Sequence, residues 1–223
     1  MFQEFSDAIS KGDISVVVTS TLGQVITWVV AIALLGIIFF MTARKNRAAN
    51  GVRALTYSGV AIAIGTILSL ITIYSFPQGG SVTALSMLAI TTIGYIYGLR
   101  YGVICGFAYG LIQLIIQPYV VHPVQLLLDY PIAFGVLGLS GLFSSMKYGL
   151  QVGYLVAIIA RLLVHTISGV VFFAEYAGSQ NVVWYSLIYN GTYIGTEGVI
   201  TLVLLATPFA LLFKYIKKNA LKS

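Results

Sequence analysis

The sequence predicts an all-α integral membrane protein, with a six-helix core preceded by one additional N-terminal transmembrane helix. Three observations predict it. Of 223 residues, 59% are hydrophobic and 8% charged, whereas a soluble domain carries roughly 25% charged residues. Apolar runs recur that are long enough to cross a ~30 Å hydrocarbon layer at ~1.5 Å per residue. The basic residues gather at the ends of these runs. That pattern marks membrane orientation rather than a nucleic-acid-binding face.

Seven apolar segments follow one another at about 15–42, 54–75, 82–98, 102–117, 124–145, 152–173 and 182–213. The first is set apart by the basic stretch "ARKNRAANGVR". It defines an N-terminal extension over residues 1–50, made of the extra helix and a cytoplasmic basic loop. Residues 51–223 hold the six-helix core. The opening "MFQEFSDAISKGD" is acidic and lacks the basic start of a signal peptide. The apolar run behind it is too long for a signal core and has no small-residue cleavage site, so it reads as a retained helix.

Orientation follows from lysine and arginine. With Arg44, Lys45, Arg47 and Arg53 in the cytoplasm, Arg100, Lys147, Lys214, Lys217, Lys218 and Lys222 fall on the same side. Ten of the twelve basic residues then agree. Lys11 lies outside and Arg161 within a span. The N-terminus is predicted outside and the C-terminus inside. The outer face then carries "SFPQGG", "QPYVVHP" and "AEYAGSQN".

Several chemistries are excluded. There is no G-x-x-x-x-G-K-[ST] loop for ATP and no G-x-S-x-G elbow. The two histidines, His122 and His165, sit in different segments, so no metal-ligand cluster appears. The single cysteine, Cys105, cannot form an internal disulfide. No internal repeat is visible, which weighs against a self-sufficient secondary transporter.

The informative residues are the polar ones inside spans, each costing ~2.5–3.5 kcal/mol on insertion scales when ionisable. Asp129 lies ~8 Å below the outer face, and His165 and Asn190 lie ~12 Å below it, counting ~1.5 Å per residue. Three helices thus bring polar groups to one level in the outer half. Tyr130, Tyr185 and Phe173 border that level, and Tyr119 sits in the loop above. A carboxylate ringed by aromatics suits a flat organic cation, held by ion pairing, stacking and cation–π contact. His122, beside Pro123, reads as a structural or solvated loop residue. Arg161 and Glu197 fall near or below the midplane, and an ion pair between them is expected because an unpaired charge there is costly. On the last helix, Asn190 and Glu197 share a face. Gly191, Gly195 and Gly198 form a small-residue strip suited to close helix packing. Tyr189 and Tyr193 lie on the other flank, and Tyr185 lies well off the Asn190 face.

The segments "LLLDYPIAFGVLGLSGLF", "ARLLVHTISGVVFFAEYA" and "WYSLIYNGTYIGTEGVIT" resemble the thiamine-specific substrate-binding (S) components of energy-coupling-factor (ECF) vitamin transporters. "FPQGGSVT" and "YGLRYG" fit as well, and the resemblance covers about residues 54–218. It implies six helices holding the vitamin near the outer face of a bacterial plasma membrane. It implies high-affinity thiamine binding and translocation, with no cofactor and no ATPase activity of the chain's own. The partners implied are an ECF transmembrane coupling subunit and two ATPase subunits. Matched residue by residue, the cation-contacting acid and following tyrosine fall on Asp129 and Tyr130. The family's histidine falls on His165, its later aromatic on Phe173, and its last-helix tyrosine and asparagine on Tyr185 and Asn190. A loop tyrosine falls on Tyr119 and a glutamine on Gln125. The partner-contacting small residues of the first core helix fall on Gly59 and Ala63.

Two departures stand out. Some members carry a tryptophan and a second glutamate after the first outer loop; here "GGSVTALSM" offers only Ser81, Thr83 and Ser86. Asp also replaces Glu at position 129. The alternatives are an S component for a related pyrimidine or pyridine compound, or a membrane enzyme using Asp129 and His165 as acid and base.

Overall fold

A computed structural model describes residues 51–221. The extension expected over residues 1–50, with its helix at 15–42, lies outside the described residues. Seven helices and one hairpin follow in order. They are α1 (Gly51–Leu70), β1 (Thr72–Ser75), β2 (Ser81–Thr83), α2 (Ser86–Tyr97), α3 (Leu99–Ile116), α4 (Pro123–Phe143), α5 (Gly149–Phe172), α6 (Val182–Ala206) and α7 (Phe209–Ala220).

α1, α3, α4 and α5 are each long and apolar enough to cross a membrane. α6 and α7 together make a fifth such span, broken by a 79° bend. The six segments expected from 54 to 213 correspond to these helices, with two differences.

The segment expected at 54–75 ends early. After Leu70 the β-branched Thr72 and Ile73 turn into a strand that pairs antiparallel with β2, Ser75 opposite Ser81. The turn between them closes when Phe76 N–H donates to the Gly80 carbonyl at 2.7 Å. Gly79 there sits at φ +83°, a conformation glycine adopts without steric cost. The hairpin leaves α2 only 12 residues, ~18 Å of helix, so extended chain makes up the remaining depth.

The segment expected at 182–213 breaks at Thr207–Pro208. Proline has no backbone N–H and disfavours helix in the residue before it, and Thr207 is extended at ψ 174°. Beyond it α7 turns aside and packs through Ala210, Phe213, Ile216 and Ala220. Lys217 Nζ donates to the Ser144 carbonyl at 2.5 Å and lies 3.9 Å over the Tyr95 ring.

Packing in the centre rests on glycine. Gly106 and Gly110 of α3 run against the backbone of α4 at Phe134 and Tyr130, and Gly138 of α4 meets Val103. A methyl on Gly110 would stand 2.5 Å from the Tyr130 carbonyl oxygen. This close approach sets the position of Asp129 and Tyr130. The strip expected on α6 behaves differently. A methyl on Gly191 or Gly195 would meet nothing within 4 Å, and only Gly198 is packed, against Ile158. Glycine periodicity marked a possible contact face, but the rotation of α6 turns it outward.

Candidate functional site

A single cavity gathers the polar residues. It opens between the hairpin and the loops that follow α3 and α5, and, with the solvent at its mouth, holds about 1020 Å³. α3, α4, α5 and α6 form its walls. Arg53 and Arg100 lie in the first turns of α1 and α3, Lys147 in the turn before α5, and Lys214, Lys217 and Lys218 along α7, all away from the cavity mouth.

α4 aims its carboxylate by an irregularity. Pro131 lies inside the helix, and the turn Leu128–Ile132 is a wide, π-type turn. Proline removes a backbone donor, and such turns commonly accommodate it while redirecting neighbouring side chains. Asp129 leaves this turn toward the cavity. Its Oδ2 accepts from Gln125 Nε2 at 2.6 Å, and its Oδ1 lies 3.2 Å from His165 Nδ1. Gln125 is fully used: the same Nε2 donates to the Tyr119 carbonyl at 3.0 Å, and Oε1 accepts from Val121 N–H at 3.1 Å. Tyr130 braces the loop above, its hydroxyl accepting from Tyr119 N–H and donating to the Gln117 carbonyl, each at 2.7 Å. Tyr119 in turn stacks on Phe173, with ring centroids 6.0 Å apart. His122 caps α4, its Nδ1 accepting from Val124 N–H at 3.1 Å, and stacks on Phe172.

α5 presents Arg161, His165, Ser168 and Gly169 on one face, at the 3–4 residue spacing of a helix. His165 Nδ1 faces Asp129 Oδ1 as a close polar contact without hydrogen-bond alignment. Its Nε2 receives Arg161 Nε–H at 3.4 Å. The bond at Nε2 assigns the tautomer with the proton on Nδ1.

α6 begins at Asn181, whose Oδ1 accepts from the N–H groups of Val183 and Trp184 at 3.1 Å each, as a helix N-cap does. Asn190 ties α6 to α5: Nδ2 donates to the Ser186 and His165 carbonyls at 2.8 and 3.3 Å, and Oδ1 accepts from the Tyr193 hydroxyl at 2.6 Å.

All eight residues expected to bind substrate meet at this one cavity: Tyr119, Gln125, Asp129, Tyr130, His165, Phe173, Tyr185 and Asn190. Tyr185 reaches it together with Tyr189, which it stacks on at 6.1 Å, and Tyr193. These three tyrosines recur every fourth residue, so they share a stripe. That stripe is readable from spacing; the expectation that Tyr189 and Tyr193 lie on the other flank is corrected, since both line the cavity. Gly59 and Ala63 lie away from the cavity, exposed on α1.

The ion pair expected between Arg161 and Glu197 does not form. Glu197 lines the cavity and takes four hydrogen bonds from the segment after the hairpin. Thr83 Oγ1 donates to Oε2 at 2.6 Å and Thr83 N–H at 3.3 Å; Met87 N–H donates to Oε1 at 3.0 Å and Ser86 Oγ at 3.3 Å. Four donors satisfy a carboxylate without a cation. Arg161 instead lies 4.1 Å over the Phe134 ring. Depth counting placed the two charges at one level but could not see that α2 begins beside Glu197.

Two carboxylates and one guanidinium face the cavity, a net negative wall with aromatic sides. Such a wall favours a flat cation over an anion.

The family model described as Thiamine transporter protein matches residues 55–217. The chain belongs to this family. Its members are transport proteins rather than enzymes, which sets aside the membrane-enzyme alternative. The chain is 39% identical over 150 residues to the thiamine transporter ThiT of Bacillus subtilis, covering 60% of this chain and 78% of that one. It is 33% identical over 135 residues to ThiT of Lacticaseibacillus paracasei, covering 52% and 67%. A solved structure of ThiT from Listeria monocytogenes superposes with a TM-score of 0.61 at 23% identity, covering 72% of this chain and 96% of that one. The helical membrane fold is therefore shared with that structure.

Proposed function

We propose that this thiamine transporter family member binds thiamine in the cavity described above and serves as the S component of an ATP-driven ECF uptake system. Asp129 carries the reading. It is a carboxylate inside an aromatic-walled cavity, held at Oδ2 by a hydrogen bond from Gln125 while Oδ1, 3.2 Å from His165, has its lone pairs free for a cationic ring. Tyr119, Phe173, Tyr185 and Tyr189 supply flat faces around it. Asn190 and Tyr130 hold the walls rather than offering spare donors.

The cavity faces outward in this reading. Basic residues at the opposite end of the helices support a cytoplasmic C-terminus. Transport then needs a transmembrane coupling subunit and two ATPase subunits, because the sequence carries no phosphate-binding loop. Gly59 and Ala63 on the outward face of α1 suit close contact with the coupling subunit's helices.

Titration calorimetry of the full chain in detergent tests the binding step. Saturable thiamine binding at submicromolar concentration is expected; heat with a neutral pyrimidine but none with thiamine would assign a different ligand. Uptake of labelled thiamine into cells should require co-expression of the coupling and ATPase subunits.

A further inference from the structure

We propose that α7, with the turn before α5, forms a docking site for anionic phospholipid headgroups on the membrane surface opposite the cavity mouth. Nothing in this site depends on which molecule fills the cavity.

α6 has 25 residues, ~37 Å of helix, against a hydrocarbon layer of ~30 Å. It is long enough to complete a crossing before the 79° bend, so α7 lies across the end of the bundle rather than along it. Thr207 holds the bend, its Oγ1 accepting from Phe209 N–H at 3.2 Å. α4 and α6 both start beside the cavity mouth, and α7 packs where they end, with Lys217 bonded to the Ser144 carbonyl.

α7 has three sides at 100° per residue. Ala210, Phe213 and Ala220 pack on the protein. Leu211, Leu212 and Tyr215 point away from it, 60%, 49% and 66% exposed. Lys214 and Lys218, one turn apart and both exposed, form a seam between these two sides. Leu212 stands almost opposite Lys214 around the axis. A helix in the membrane interface has this order, with apolar side chains among acyl chains and lysines reaching back to the headgroups.

The charges converge as well. Lys147, from the turn before α5, and Lys214 lie over the same Tyr148 ring, 5.4 and 5.8 Å from its centroid. Lys217 adds a third ammonium, 3.9 Å over Tyr95. Like charges gathered this way repel one another. Among the described residues the carboxylates are Asp129, Glu175 and Glu197, which lie at the cavity or in the loop beside its mouth. No described carboxylate therefore pairs with these lysines. A lipid phosphodiester supplies the missing negative charge, and its acyl chains cover Leu211, Leu212 and Tyr215. A soluble phosphate or a nucleic acid offers the charge without the apolar part.

The full chain in non-ionic detergent is mixed with equal amounts of phosphatidylglycerol and phosphatidylcholine of identical acyl chains, and retained lipid is counted by native mass spectrometry. One lysine near an anionic surface contributes about fivefold, so the unmodified chain should retain phosphatidylglycerol in roughly fivefold preference or more. In the combined variant Lys147→Gln, Lys214→Gln, Lys218→Gln, the preference should fall below about twofold. Equal retention of the two lipids by the unmodified chain overturns the inference and leaves the lysines to a protein partner. An undiminished preference in the variant also overturns it, by placing the lipid elsewhere. Displacement of phosphatidylglycerol by an equal concentration of glycerol phosphate overturns it in favour of a free anion. Should the triple variant give no cooperative melt, Lys147→Gln with Lys218→Gln, both exposed side chains, is read instead. The preference should then fall at least twofold, and no fall overturns the inference.

Discussion

Asp129 and Glu197 are both carboxylates at cavity walls, and their surroundings give them opposite tasks. Asp129 meets two partners and faces the cavity, so Asp129→Asn should weaken thiamine binding by at least tenfold, about 1.4 kcal/mol. A neutral pyrimidine should lose much less; calorimetry with both ligands measures the difference. Glu197 has its lone pairs filled by Thr83, Ser86 and Met87. Glu197→Ala leaves those buried donors without an acceptor, at about 1–3 kcal/mol for each unsatisfied group. A clear drop in melting temperature without ligand is expected, with a smaller drop for Glu197→Gln. Of these residues, Asp129, His165 and Asn190 were legible because charge or amide chemistry inside an apolar run is conspicuous. The role of Glu197 was not, because its donors come from a segment more than a hundred residues away.

At the scale of elements, the site depends on how closely α3 and α4 approach. Gly110 abuts the Tyr130 carbonyl, so Gly110→Ala forces the wide turn bearing Asp129 to shift. A cost of about 1–3 kcal/mol is typical of overpacking. Both thermal stability and thiamine affinity should fall. Gly191→Ala is the control, since its methyl would meet nothing within 4 Å. It should leave both unchanged in the same melting and calorimetry series. Glycine spacing was visible in both helices, and only the packing separates the glycines that face a neighbour from those that do not. The hairpin leaves no signal in the sequence: its strands have 4 and 3 residues, too short for alternation to rise above the apolar run around them.

For the whole molecule, the relevant surface is α1. Its exposed residues include Leu55, Val60, Ile64 and Ile67 beside Gly59 and Ala63, and a membrane helix can present such a face to lipid or to a partner helix. Under the ECF reading, Gly59→Leu combined with Ala63→Leu should reduce co-purification of the coupling subunit and uptake, while thiamine binding by the isolated chain stays within about threefold of the unmodified value. Unchanged co-purification would place the partner elsewhere.

The sequence by itself determined that this is a multi-pass helical membrane protein, where the apolar segments of its described part lie and which family it resembles. Hydropathy, charge at span ends and motif spacing are local properties that add along the chain, so they survive without coordinates. The tertiary structure decided that Arg161 and Glu197 stand apart, that Tyr189 and Tyr193 join the cavity wall, and that α6 breaks into α7. Those outcomes depend on the rotation of each helix about its axis and on backbone from distant segments, such as Thr83 and Met87, arriving beside a buried side chain. A helical wheel gives each helix its faces but leaves open which neighbour each face will meet.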